Sequence, residues 1–271
     1  MLLGTSQGSY LGGLLASGIG TDDLVAWYRR ALPDSHPLRT RTPRRERVVV
    51  RRSLPRPASP RLLTRAVGRD RITPLAALSG LLPAGTGSLD AFLAPLAALV
   101  GGRSWVDHPD FRAVALDYDT GRRVCFGAPG APRPPVVDAV RASCTVPGGF
   151  PPVTIGGRSY IDGGAHSTTN ADLLVDAGVS EVVVLAPMAG EDAPPRTPAA
   201  VVGAALRRVA DRQLDGEVRA LRRDGVTVRV LRPSRADRAV MGANPQDPQQ
   251  RFAIFDAALA SGPSRVASAY S

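Results

Sequence analysis

The chain has 271 residues, of which 44% are hydrophobic and 21% charged. That length and balance suit one large domain or two small ones and exclude wholesale disorder. Two cysteines, Cys125 and Cys144, and three histidines, His36, His108 and His166, occur at no ligand-like spacing. A disulfide scaffold is thereby excluded, and neither a metal site nor a cofactor is expected. All 34 basic residues are arginine. Twelve of them fall between Arg39 and Arg71 against only Glu46 and Asp70, while the remaining 22 arginines meet 22 acids. The molecule is therefore a neutral body carrying one basic segment.

In chain order, Met1–Leu3 reads as a strand stub, followed by a tight turn and a helix to about Ser17. Thr21 is placed to cap a helix over Asp22–Leu32, with acids in its first turn where the helix dipole favours them. The basic segment contains Pro43, Pro55, Pro57 and Pro60 and so cannot be one regular helix; Val48-Val49-Val50 reads as a short strand inside it. A helix is expected over Leu89–Val100, with Ser88 as its cap. Phe111–Tyr118 alternates like a half-buried strand and turns at Asp119-Thr120-Gly121 into Arg122–Phe126, a hairpin signal. Val136–Cys144 reads as a small-residue helix, and Val153–Ile155 with Arg158–Ile161 as a second hairpin around Gly156-Gly157. Glu181–Ala186 is a continuous apolar run, as in a strand buried on both faces. A helix over Ala199–Arg222, a strand over Val226–Leu231 and a helix over Gln249–Ala260 follow. Strands alternating with helices predict an α/β fold of three layers, with a mostly parallel central sheet flanked by helices. The expected organisation is a core over residues 1–190, with 39–71 as an insertion, and a helix-strand-helix over 191–271 completing the same domain.

Two short motifs bear chemistry. Gly4-Thr5-Ser6-Gln7-Gly8 fits G-x-S-x-G between an apolar stub and a small-residue helix, the strand–turn–helix context of a nucleophile elbow. The flanking glycines permit a strained turn, the helix N-terminus favours negative charge near the serine oxygen, and the Gln7 N–H is placed to donate to an oxyanion. The competing reading is a Gly/Ser turn in which Ser6 merely caps a helix. Asp162-Gly163-Gly164 ends the second hairpin, putting a carboxylate at a strand end with open space beside it; a simple Asx turn is the alternative. A Ser-His-Asp triad is poorly supported: His36 and His108 sit in Pro-flanked loops and are expected to be exposed, and His166 follows Asp162 too closely to match the usual order.

Together these features resemble the patatin-like phospholipases, α/β enzymes with a serine in G-x-S-x-G and an aspartate in D-G-G or D-G-A. The stretch VRASCTVPGGFPPVTIGGRSYIDGGAHSTTNADLL, from Val140, is similar to that family's block around its aspartate. The resemblance implies Ser6 as nucleophile, Asp162 as its base, and an acyl-serine intermediate that water hydrolyses. It implies a lipid acyl hydrolase acting on phospholipids or other acyl esters. The sequence departs from the family in two places. Gln7 stands where alanine is usual, and only three residues precede Gly4, where the family has a strand and a glycine-rich oxyanion loop. The expectation is that the reading frame extends upstream; the alternative is a catalytically impaired relative that binds lipid or protein.

The basic segment reads either as a solvated loop or as a surface for anionic lipid headgroups, reached through the same long-range field that would attract nucleic acid. No nucleic-acid recognition motif accompanies it, so nucleic acid is not an expected partner. The first 21 residues lack a basic n-region and an unbroken apolar stretch, so a signal peptide is not expected; the expected location is the cytoplasm, with peripheral membrane contact through 39–71.

Overall fold

A computed structural model describes residues 1–39, 57–66, 72–190, 198–242 and 249–271. Two compact units divide the chain, Met1–His166 and Ser167–Ser271. The strand expected at Val48–Val50 lies outside the described residues, as does most of the basic segment.

The first unit holds β1 (Leu2–Thr5), α1 (Gln7–Ala16), α2 (Thr21–Tyr28), α3 (Pro60–Ala66), α4 (Pro74–Ser79), α5 (Asp90–Val100), β2 (Phe111–Asp117), β3 (Arg123–Phe126), α6 (Val136–Ser143), β4 (Val153–Ile155) and β5 (Arg158–Asp162). Its five strands form one mixed sheet. The sheet is not mostly parallel, as the order of strands and helices had suggested: only β1 runs parallel to its neighbour, β2, and the β2–β3, β2–β5 and β4–β5 pairs are antiparallel. Two of these pairs are hairpins, whose short turns force antiparallel neighbours, whereas a parallel pair needs a long crossover; the third, β2–β5, joins the two hairpins. Gly156 and Gly157 both have positive φ, 57° and 76°, the conformation a two-residue hairpin turn demands.

The strand at the centre of this sheet, β2, was expected to be half-buried. It is buried along nearly its whole length, because both of its edges are paired and both of its faces are covered. Phe111, Ala113 and Ala115 pack with Tyr10 and Leu14 of α1, Leu93 and Leu96 of α5, and Val136, Ala139 and Val140 of α6. On the opposite face Leu116 and Tyr118 pack with Leu62 of α3 and Ala76 of α4. The period of two along the strand thus sends alternate residues into two cores.

Smaller differences have local causes. The second helix begins at Thr21 with Gly20 as its cap and stops at Tyr28, short of Leu32. The Ser88 hydroxyl does accept the N–H of Asp90, 3.0 Å away, although the cap position is Leu89.

In the second unit β6 (Glu181–Leu185), α7 (Pro198–Arg223), β7 (Thr227–Leu231), α8 (Arg235–Met241) and α9 (Arg251–Tyr270) are found. The two strands pair in parallel, joined by the long helix, as a crossover requires. The β6 strand is not buried on both faces: Val182 and Val184 are buried, whereas Val183 and Leu185 are exposed. Glu217 of α7 is itself buried and accepts hydrogen bonds from Ser167 Oγ and Thr169 Oγ1, both at 2.5 Å, and from the Ala171 N–H at 2.9 Å. These donors stabilise a carboxylate that burial alone would penalise. The last helix runs ten residues past Ala260, where it was expected to end, and continues through Pro263.

Candidate active site

The two sequence motifs meet at the middle of β2. That strand has two edges. One is covered by β3, paired along Ala113–Leu116. The other is shared end to end: β1 pairs with Phe111–Val114, and β5 with Ala115–Asp117. Thr5 is opposite Val114 and Asp162 is opposite Ala115, so a parallel strand and an antiparallel strand finish head to head on adjacent residues. The residue after Thr5 is Ser6. Register alone therefore brings a serine and a carboxylate, distant in sequence, to one point.

Ser6 is half-buried and adopts φ 54°, ψ −126°, a positive-φ conformation outside the usual regions for a residue with a side chain. Such a conformation costs on the order of 1–3 kcal/mol and persists only where neighbours over-determine it. Here its carbonyl accepts from Ser9 N at 2.9 Å, Ser9 Oγ at 2.7 Å, Tyr10 N at 3.3 Å and Cys144 Sγ at 3.2 Å. Its N–H donates to Ser143 Oγ at 3.0 Å. The motif's two glycines differ in what they do. A Cβ on Gly4 would lie 2.4 Å from the Gly8 carbonyl oxygen and the Ser9 backbone, so the close approach of β1 to α1 requires glycine there. A Cβ on Gly8 would meet nothing within 4 Å. Gln7 and Gly8 are exposed, at the first turn of α1, where N–H groups have no acceptor within the helix.

Asp162 is 3% exposed. Burial pushes its carboxyl up from the ordinary carboxylate range to about 6, against the lowering effect of hydrogen bonds from the Ser6 hydroxyl and the Gly164 N–H. The Gly164 bond is 2.7 Å. A Cβ on Gly163 would lie 2.6 Å from the Val114 carbonyl oxygen, so this glycine too is needed for close approach. Gly164 is more open; a Cβ there would meet only the Asp162 carboxylate, at 3.0 Å.

The residues that hold this pair were not singled out from the sequence. Ser143, Cys144 and Thr145 are consecutive at the end of α6. Ser143 Oγ accepts from the Ser6 N–H, Cys144 Sγ donates to the Ser6 carbonyl, and the Thr145 carbonyl accepts the Asp162 N–H at 2.9 Å. The signal for them was a helix of small residues leading into three side chains with hydroxyl or thiol groups, one residue before a Pro-Gly turn. Burial raises the Cys144 thiol to about 12, with the Asp162 charge adding to the shift, so it is a protonated donor and not a nucleophile.

The histidines take other duties. His36 and His108 are half-buried, not exposed, because the Nδ1 of each accepts a backbone N–H two residues on, from Leu38 at 3.2 Å and Asp110 at 3.1 Å. The His166 N–H closes a turn on the Gly163 carbonyl at 3.0 Å. Among the described residues no group of three or more His, Cys, Asp or Glu side chains is placed to hold a metal ion, and no helix is long and apolar enough to cross a membrane.

The fold thus brings a serine on a strained strand-to-helix turn and a buried aspartate to one point on the edge of β2. The sequence profile of the patatin-like phospholipases matches residues 1–175, and the chain belongs to that family. A comparison with curated proteins finds no match.

Proposed function

We propose that the protein is a patatin-like serine lipid acyl hydrolase that cleaves ester bonds of phospholipids or other acyl esters through Ser6 and Asp162. The observation that carries this reading is the sheet register that brings Ser6, on its strained turn, to Asp162, a carboxylate whose burial lifts it to about 6. An ordinary aspartate, near 3.9, is a feeble base; one at about 6 remains ionised at neutral pH yet holds a proton far more readily.

In the first half-reaction the Ser6 hydroxyl attacks the ester carbonyl while its proton passes to Asp162. The tetrahedral intermediate collapses, the alcohol leaves with that proton, and an acyl group stays on Ser6. Water then attacks the acyl-serine, giving its proton to Asp162, and the serine is regenerated with release of the carboxylic acid. The N–H of Gln7, assisted by the N-terminus of α1 and the tight approach of β1 to α1 that Gly4 allows, donates to the developing oxyanion. Gly163 lets the turn approach β2, and Gly164 keeps the space beside the carboxylate clear. The acyl chain and headgroup belong to a lipid, and the arginines of residues 39–71 supply a field that favours an anionic lipid surface.

The test is turnover of a soluble ester such as p-nitrophenyl butyrate. Ser6→Ala and Asp162→Asn should each reduce it by several orders of magnitude, while His166→Ala should leave it close to the parent value. A Ser6→Ala protein with near-parent turnover refutes the proposal.

A further inference from the structure

Where β1 gives way to β5 along the edge of β2, the regular ladder of backbone hydrogen bonds is interrupted. Val114 is opposite Thr5 and Ala115 is opposite Asp162, and between them the Val114 carbonyl and the Ser6 N–H both need partners in a buried place. One side chain serves both. Ser143, fully buried, donates its hydroxyl to the Val114 carbonyl at 2.6 Å and accepts the Ser6 N–H at 3.0 Å. A hydroxyl can donate once and accept in the same moment, which a methyl or an ammonium group cannot.

The two sides of Ser6 are held unequally. Four donors converge on its carbonyl, so loss of any one leaves three. Among the described residues its N–H has the single partner Ser143 Oγ. The positive φ of Ser6 is set by rotation about the bond between that nitrogen and Cα, so the tether at the nitrogen is the one that resists relaxation toward an ordinary conformation.

We propose that Ser143 is a positioning residue for the reaction: by bridging the Ser6 N–H to the Val114 carbonyl, it fixes the strained Ser6 backbone that keeps the Ser6 hydroxyl directed at Asp162. This rests on Ser6 being the nucleophile. Ser143 touches neither substrate nor reacting atoms, and its effect passes through the nucleophile's backbone. A displacement of the order of 1 Å at a reacting atom costs about a hundredfold in rate, so the expected effect is on kcat and not on KM.

The experiment uses the full chain and three readouts: kcat and KM on p-nitrophenyl butyrate, the rate of labelling by a fluorophosphonate, and the melting temperature. Ser143→Ala should lower kcat by about 10- to 100-fold with KM held within about threefold, and should slow labelling by the same factor as kcat. Ser143→Cys, which keeps a weak donor and acceptor at that position, should fall between parent and Ser143→Ala. Ser79→Ala is the control for stability alone: Ser79 is a buried serine whose hydroxyl donates to Ala76 at 2.6 Å within α4, and its loss should lower the melting temperature while leaving kcat unchanged. The acid limb of the rate profile adds a fourth reading. The groups facing Asp162 are the Ser6 hydroxyl, the Gly164 N–H and the Cys144 thiol, and losing the Ser6 bond, which lowers the Asp162 carboxyl, should move that limb to higher pH in Ser143→Ala.

Parent kcat and labelling in Ser143→Ala overturn the proposal, as does an equal fall in kcat in Ser79→Ala at matched loss of melting temperature. If Ser143→Ala does not fold, Ser143→Cys decides: reduced kcat at retained KM supports the role and parent kcat overturns it. Ser6→Ala separates the two layers. An active Ser6→Ala protein defeats the dyad itself, whereas an inert Ser6→Ala protein beside an unimpaired Ser143→Ala protein defeats only the positioning role.

Discussion

Thr5 and Asp162 end their strands on neighbouring residues of the same edge of β2, Thr5 opposite Val114 and Asp162 opposite Ala115. Because one strand arrives parallel and the other antiparallel, the next residue along β1, Ser6, falls beside the Asp162 carboxylate. The pair is thus assembled by sheet register and locked by the end of α6. It does not depend on a flexible loop. Rigid elements position reacting groups more closely than loops do.

Hydrolysis should follow the ionisation of Asp162. Only the carboxylate can accept the Ser6 proton, so the rate should rise with pH through about 6 and level off above it. An acid limb near 4, the range of an unperturbed aspartate, would mean that the base is not a buried carboxylate. Initial rates on a soluble ester over pH 4–9 measure this.

The same burial should cost stability. Asp162 has a folded-state pKa raised above that of the unfolded chain, so the unfolded state loses its proton first as pH rises. The penalty is absent below about 4, grows between about 4 and 6, and is constant above; from a shift of about two units it is roughly 3 kcal/mol. Asp162→Asn, which cannot ionise, should therefore melt at higher temperature than the parent at pH 7–8 and at about the same temperature at pH 4. Calorimetry at the two pH values gives the comparison, and a lower melting temperature for Asp162→Asn at pH 8 would contradict it.

The glycines of the serine motif should separate cleanly. Gly4→Ala forces a Cβ to within 2.4 Å of the α1 backbone and should destabilise by about 1–3 kcal/mol or more. Gly8→Ala meets open space at the start of a helix and should be neutral or slightly stabilising. Urea unfolding midpoints distinguish them, and equal midpoints would remove the steric argument.

Much of this architecture was legible in the residues. The serine and aspartate turns, the two hairpins, α1, α6 and α7 all carried local signals: glycine pairs at turns, alternation in strands, helical periodicity. What was not legible is long-range. Counting strands and helices suggested a mostly parallel sheet, because nothing local to Phe111–Asp117 says that β1 and β5 will share one of its edges. Nor does the run Ser143-Cys144-Thr145 show from sequence that it will reach Ser6 on both sides and Asp162 on its backbone, since those contacts span up to 138 residues. The α8 cap was missed for a different reason: Ser234 and Asp237 do form a reciprocal capping box, at 3.0 and 2.7 Å, but on a helix of only seven residues whose apolar pattern is too short to register.

The basic segment yields a prediction from charge alone. Each arginine near an anionic bilayer contributes about 1 kcal/mol, so replacing Arg44, Arg45, Arg51 and Arg52 with glutamine should weaken binding to phosphatidylserine vesicles by at least tenfold at low salt. Turnover of a soluble ester should be unchanged. Vesicle co-sedimentation that is indifferent to these substitutions and to added salt would reduce the segment to a solvated loop.

The most direct measurement is mass spectrometry of the protein quenched in acid during turnover of an excess of p-nitrophenyl ester. A covalent acyl adduct carried on the peptide that contains Ser6, absent from Ser6→Ala and accumulating far more slowly in Asp162→Asn, is the predicted result. An active protein that shows no adduct on Ser6, or one in which Asp162→Asn acylates at the parent rate, would contradict the dyad.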